Sequence, residues 1–202
     1  MSRRPNTEQR RSEIVQALLS AIAEHGYEKA TIQLIAQKAG LTPGLLHYHF
    51  KTKAEILLEL VKTLAALSNE RYVAFAESAT TPEERLLAYI KARLAKGEGA
   101  DPHAVAAWVM IGAEAVRQPE VREAYQEAIS TELTLLQGML TTYLKHQGKR
   151  VKNVKHLAAG LLAFMEGAFQ LASAAPNVMP TGYAASTAIQ FIQRYVECEL
   201  DT

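Results

Sequence analysis

Thr31–Phe50, TIQLIAQKAGLTPGLLHYHF, is the stretch that decides how this chain is read. Thr31 is suited to cap a short helix in which Leu34 and Ile35 face inward and which Gly40 stops. Thr42 then caps a second helix, with Pro43 at its first position, where the missing N–H costs nothing. That helix runs only to about Phe50. Ala36 is small enough to let the two axes approach, and Gly40 can take the positive φ that leaving the first helix requires. Neither helix is long enough to persist alone, so a neighbour must hold both. Helix, four-residue turn and helix together make a helix-turn-helix, whose second helix enters a DNA major groove.

The side chains suit that task. Thr42, His47, Tyr48 and His49 give a polar face, and Leu46 and Phe50 anchor the opposite one. Thr31 and Thr42 stand at helix starts, where hydroxyls and free N–H groups can hold phosphates, and Lys51 and Lys53 follow as backbone clamps. Leu45 offers apolar contact to a thymine methyl. The bland alternative is a helical hairpin whose polar face simply meets water.

Helices extend in both directions from this stretch. Upstream, Ile14, Val15, Leu18, Leu19 and Ile22 recur at helical spacing until Gly26. Downstream, Ile56, Leu57, Leu60, Val61, Leu64 and Leu67 mark a helix ending near Ala76. Thr81-Pro82-Glu83-Glu84 starts another, which Gly97 and Gly99 end. Pro102 and Pro119 open two more, the second running to just before Gly148. The last two span about 151–174 and 183–199, separated by PNVMPTG. No alternating strand run of useful length appears. The expected fold class is all-α, with a three-helix head over 1–53 and a larger helical body over 54–202.

Composition narrows the classes. The 202 residues carry a net charge of +1, with 49% hydrophobic residues and a single cysteine, Cys198, which excludes a disulfide scaffold. Eight Lys/Arg against four Asp/Glu fall in residues 1–53, and fourteen against seventeen fall in the remainder. A basic head on an acidic body suits a polyanion at one end. Six histidines form no ligand cluster at diagnostic spacing, and Gly-rich phosphate loops and Ser/Cys nucleophile motifs are absent. No enzyme, cofactor or metal site is therefore expected. The first residues lack an apolar core of a secretion signal, and a cytoplasmic protein is expected. LAAGLLAFMEGAFQLASAA, residues 157–175, has the length of a membrane span. Glu166 and Gln170 near its middle favour a helix buried in protein, with no membrane partner.

Residues 10–61 resemble the N-terminal domain of TetR-family transcriptional regulators. The likeness rests on Ile14, Ala17, Gly26, Thr31, Ile35, Ala36, Ala39-Gly40, Gly44, Leu46, His49-Phe50, Lys53 and Leu57. It implies supporting and recognition helices over 31–38 and 42–50, and an N-terminal arm at Arg3, Arg4 and Arg10 that touches the DNA backbone or minor groove. One departure stands out: the position after Leu46, commonly a phosphate-binding Tyr in that family, is His47. The expected DNA face is Arg3, Arg4, Arg10, Thr31, Thr42, Pro43, Gly44, Leu45, His47, Tyr48, His49 and Lys53. Its partner is double-stranded operator DNA.

The body is less diagnostic. AWVMIGAEAVRQPEVREAY, residues 107–125, is similar to the matching stretch of the subgroup around the choline-responsive repressor of betaine synthesis. Candidate pocket residues for a small-molecule effector are Trp108, Met110, Ile111, Glu114, Tyr125, Ile129, Met139, Tyr143, Phe164, Met165 and Phe169. A carboxylate near aromatic rings suits a cationic ligand, although ordinary core packing explains the same residues. The helix over 151–174 carries apolar residues on more than one side, which suggests that it and the last helix form a homodimer interface. Its candidates are Leu157, Gly160, Leu161, Phe164, Ala168, Leu171, Ile189, Ile192 and Val196. The expected function is a DNA-binding regulator, a repressor released by an effector. The alternative is a helical dimer without DNA affinity, serving as a structural or small-molecule-binding protein.

Overall fold

The computed structural model describes residues 4–97 and 99–198, with side chains from residue 7 to residue 197 except that of residue 98. Among the described residues there are nine helices and no strand: α1 (Arg4–Lys29), α2 (Ile32–Lys38), α3 (Pro43–His49), α4 (Lys53–Ala76), α5 (Pro82–Leu94), α6 (Pro102–Ala115), α7 (Pro119–His146), α8 (Val154–Ala174) and α9 (Tyr183–Cys198). Periodicity and caps place the elements to within a few residues, except that α1 begins at Arg4, well before Ile14, the first of its periodic apolar residues. The one difference in kind is at Gly26. Hydrogen bonding continues to Lys29, but Gly26 itself is non-helical, with φ 77° and ψ 163°. Only glycine occupies that region without strain, so the straight part of α1 ends there.

The chain divides into two compact units, residues 1–65 with 107–128 and residues 66–106 with 129–202. This packing division differs from the boundary expected after Lys53. The first half of α4 and the junction of α6 and α7 share a core with the head. In that unit Ile14, Leu18, Ile35, Leu46, Phe50, Ile56, Leu57 and Leu60 are buried together with Ile111, Ala115 and Val121. α1, α2 and α3 touch one another pairwise, which is how two seven-residue helices persist. Lys38 at the end of α2 also pairs with Glu24 of α1 at 2.8 Å.

In the second unit α5 packs against α8 and α9, which also touch each other. α5 opens with a capping box: Glu84 N–H donates to Thr81 Oγ1, and Thr81 N–H donates to the Glu84 carboxylate at 2.9 Å. The backbone N–H groups of Thr81 and Thr80 hold the Glu84 carboxyl at about 2, well below its ordinary value of 4.5. A depressed carboxylate stabilises the fold above its unfolded value and loses that contribution as pH falls toward its folded value. Thermal melts of wild type and Glu84→Gln should thus diverge most at neutral pH and converge as pH drops from about 4.5 toward 2. A constant gap across that window would deny the carboxylate its capping role. α8 is long and apolar enough to cross a membrane by length and composition, and a third of its most apolar window is buried within the subunit.

Candidate nucleic-acid interface

The two short helices are set by their caps. Thr31 Oγ1 accepts from Leu34 N–H at 3.2 Å, and Thr42 Oγ1 accepts from Leu45 N–H at 3.3 Å. Each hydroxyl oxygen is engaged in the cap, which leaves the hydroxyl proton as the group able to meet a phosphate. α3 is sharply two-faced. Leu46 and Phe50 are buried, while Thr42, Pro43, Gly44, Leu45, His47 and Tyr48 face solvent, Leu45 at 44% and Tyr48 at 72% exposure. His49 is half-buried, with its ring edge-on to Tyr48 at 5.1 Å. An exposed tyrosine, an exposed leucine and imidazoles on one short helix supply donors, acceptors and apolar surface for base edges.

Other expected contacts sit elsewhere. Lys53 does not project from this face: its Nζ donates to Tyr27 O at 2.8 Å and lies 4.0 Å from the centre of the Tyr27 ring. Burial lowers the ammonium's pKa, and the nearby carboxylates Glu120, Glu28 and Glu114 oppose that. The side chain is thus drawn toward the end of α1 by a carbonyl, a ring and negative charge. Lys51 stays exposed, with its Nζ donating to His47 O at 3.2 Å. Arg10 lies within α1 rather than on an extended arm, paired with Glu13 at 2.6 Å. Arg3 is outside the described residues, as is the side chain of Arg4, whose backbone begins α1.

The body candidates divide between the two units. In the first unit, Trp108 and Tyr125 stack at 4.9 Å, and a Cβ on Gly112 would stand 3.3 Å from the Tyr125 ring. Met110 is half-buried and Ile111 is core. Glu114, 8% exposed, pairs with Arg117 at 3.1 Å and points its Oε1 at Gly26. In the second unit, Tyr143, Met165 and Phe169 are buried, and Ile129, Met139 and Phe164 are half-buried. An open groove of about 1060 Å³ runs between α8 and α9, and Leu157, Gly160, Leu161, Phe164 and Ile192 line it. Ala168 and Val196 are already buried within the subunit, Ile189 is half-buried and Leu171 is exposed.

Residues 14–60 match the family model for bacterial regulatory proteins of the tetR family, and residues 82–200 match that for the C-terminal part of the BetI-type transcriptional repressor. The chain belongs to the TetR family. It is 35% identical over 113 residues to the HTH-type transcriptional regulator BetI of Rhizobium meliloti (strain 1021), a match covering 56% of this chain and 55% of that protein. This chain therefore spans about half the length of that relative. A putative TetR-family regulator from a Rhodococcus species superposes with a TM-score of 0.78 at 21% identity, over 93% of this chain and 98% of that one. A putative regulator from Saccharomonospora viridis in complex with choline gives 0.67 at 25% identity, over 94% and 96%. The family and these relatives are transcriptional regulators, not enzymes.

Three contributors escaped the sequence reading, two of them in this TetR-type head and one on α9. Arg11 donates from Nη1 to His49 O at 2.8 Å and from Nη2 to Glu59 at 3.1 Å, with its guanidinium 4.0 Å over Phe50. It ties α1, the end of α3 and α4 together, yet nothing in the sequence distinguishes it from Arg10. Tyr27 is buried and donates its hydroxyl to Glu120 at 3.3 Å, while its carbonyl receives Lys53. Burial, then the charge of Glu120, pushes its phenol pKa well up, so the donor persists. On α9, Phe191 is 59% exposed, with its ring edge-on to Phe164 at 5.5 Å. Its exposed spacing was the available signal.

Proposed function

We propose that this TetR-family protein is a homodimeric repressor that occupies operator DNA with α3 of each subunit and leaves it when a small organic cation binds the body. The observation that carries the reading is α3, whose apolar side is locked into the head core while Thr42, Leu45, His47 and Tyr48 stand in solvent. We assign DNA reading to the head through Lys53 and effector binding and pairing to the remainder. The location is the cytoplasm, without a membrane partner. The BetI-type match and the choline bound by the Saccharomonospora viridis protein support the cationic class of effector. α4 starts at Lys53 and runs on to Ala76, so a ligand that displaces its later turns also changes how far apart two copies of α3 stand.

Selection of bound fragments from genomic DNA, followed by titration, tests the reading. A saturable duplex held about a thousandfold more tightly than random DNA at physiological salt is expected. No saturable preference for any duplex over random DNA at physiological salt would favour the helical dimer without DNA affinity. On the selected duplex, Lys51→Ala should reduce the salt slope by about 0.9, the value of one phosphate contact. Lys53→Met should instead lower the melting temperature with a smaller change in slope, since its ammonium serves Tyr27. The reverse ranking would return Lys53 to the backbone contacts.

The groove between α8 and α9, lined in part by exposed Phe191, and the exposed Leu171 further along α8 support pairing through these helices. Phe191→Asp would place a charge at the centre of a desolvated patch. Sedimentation velocity should show the variant at the mass of one chain at concentrations where the wild type is a dimer. An unchanged dimer would move the interface elsewhere.

A further inference from the structure

The second unit holds a buried polar cluster of which only Phe169 is among the expected pocket residues. Arg93, in the last turn of α5, places Nη2 3.2 Å from Glu132 Oε1 of α7, and the two side chains are only 14% and 18% exposed. Its Nη1 donates to Ser68 Oγ of α4. Its guanidinium lies 5.4 Å from the centre of the Phe169 ring on α8. Tyr89 donates its hydroxyl to the same Glu132 oxygen, and Tyr72 meets Tyr89 edge to face at 5.4 Å. Arg93 Nε is buried with no hydrogen-bond partner among the described residues.

Such an arrangement is a poor way to gain stability. Two desolvated charges return little against an apolar pair of equal volume, and a buried N–H without an acceptor adds a further cost. Its parts are those that recognise an organic cation: one carboxylate held by a phenol, with aromatic rings around it. The cation now in place belongs to the chain. Arg93 reaches the cluster on a flexible stem from the end of a helix, and its unpartnered Nε makes its seat incomplete.

We propose that the cluster of Glu132, Phe169, Tyr89 and Tyr72 is a binding site for a small organic cation, and that Arg93 is a tethered competitor for it. The inference rests on the effector reading above and names the site and the specificity-determining residue. A cation that takes Glu132 and the Phe169 face expels the guanidinium and breaks its bond to Ser68 of α4. Only cations that bind better than the built-in one register, so Arg93 sets the threshold of the sensor.

Calorimetric titration of the full chain with tetramethylammonium chloride, against sodium chloride at equal ionic strength, tests this. If the guanidinium fills the site about nine-tenths of the time, Arg93→Met and Arg93→Gln should both bind tetramethylammonium about tenfold more tightly than wild type. Adding Glu132→Gln to either should abolish the gain. Unchanged affinity in both single variants, or a gain that survives loss of Glu132, would overturn the proposal. The wild type supplies a readout that needs no variant: tetramethylammonium should raise its melting temperature beyond the matched sodium control, and no excess rise would also overturn it. Titration of the ligand-free wild type with the selected duplex is run in parallel. Failure there would reject the regulator reading while leaving the cation result standing.

Discussion

Phe50→Ala should cost the fold about 3–5 kcal/mol, read from the urea midpoint of wild type and variant. Two features put this ring at the upper end of single-residue effects. It is 1% exposed in the core shared by α1, α3 and α4, so truncation leaves a cavity that the short α3 cannot collapse into without moving. The Arg11 guanidinium sits over it at 4.0 Å while donating to His49 O, so losing the ring loosens the clamp on the end of α3. Against a total stability of about 5–15 kcal/mol, such a loss leaves the head marginal, and duplex binding should fall with it. A cost below about 1 kcal/mol would show that the helix-turn-helix is held chiefly by something other than this ring.

Gly26→Ala should be the next largest, for a reason unrelated to cavities. At φ 77° and ψ 163° a side chain is strained by about 1–3 kcal/mol whatever the space around it. Space is short as well, since the new Cβ would stand 3.1 Å from Glu114 Oε1, a carboxylate 8% exposed and tied to Arg117. Removing that carboxylate relieves only the contact. Gly26→Ala in a Glu114→Ala background should therefore cost less than in the wild type while still costing something, measured as a double-mutant cycle in urea. Strict additivity would reject the contact, and no cost in either background would reject the strain.

Most of the fold was legible because its signals are local. Thr31, Thr42 and Thr81 announce helix starts, prolines 43, 82, 102 and 119 stand at first positions, and the apolar spacing names the buried faces. The exposed half of α3 was equally readable, because Leu46 and Phe50 fix which side must turn inward. What the sequence hid depends on partners far along the chain. Lys53 looked like a clamp next to the recognition helix, but Tyr27, twenty-six residues earlier, claims it. Glu114 looked like a ligand carboxylate, and only the fold brings it to Gly26. Arg93 and Glu132 carried no motif, since their significance is mutual burial between α5 and α7.

The long apolar α8 has a consequence for the life of a newly made chain. A third of its most hydrophobic window is buried within its own fold, while Ala159, Gly160, Ala163, Gly167 and Leu171 stay exposed, so a lone copy carries an apolar flank that water and chaperones both meet. If two copies shelter each other there, survival becomes a second-order affair: scarce chains persist poorly, and abundant ones rescue one another. A repressor built this way would need a minimum dosage, below which its promoter escapes control through loss of protein before any effector arrives.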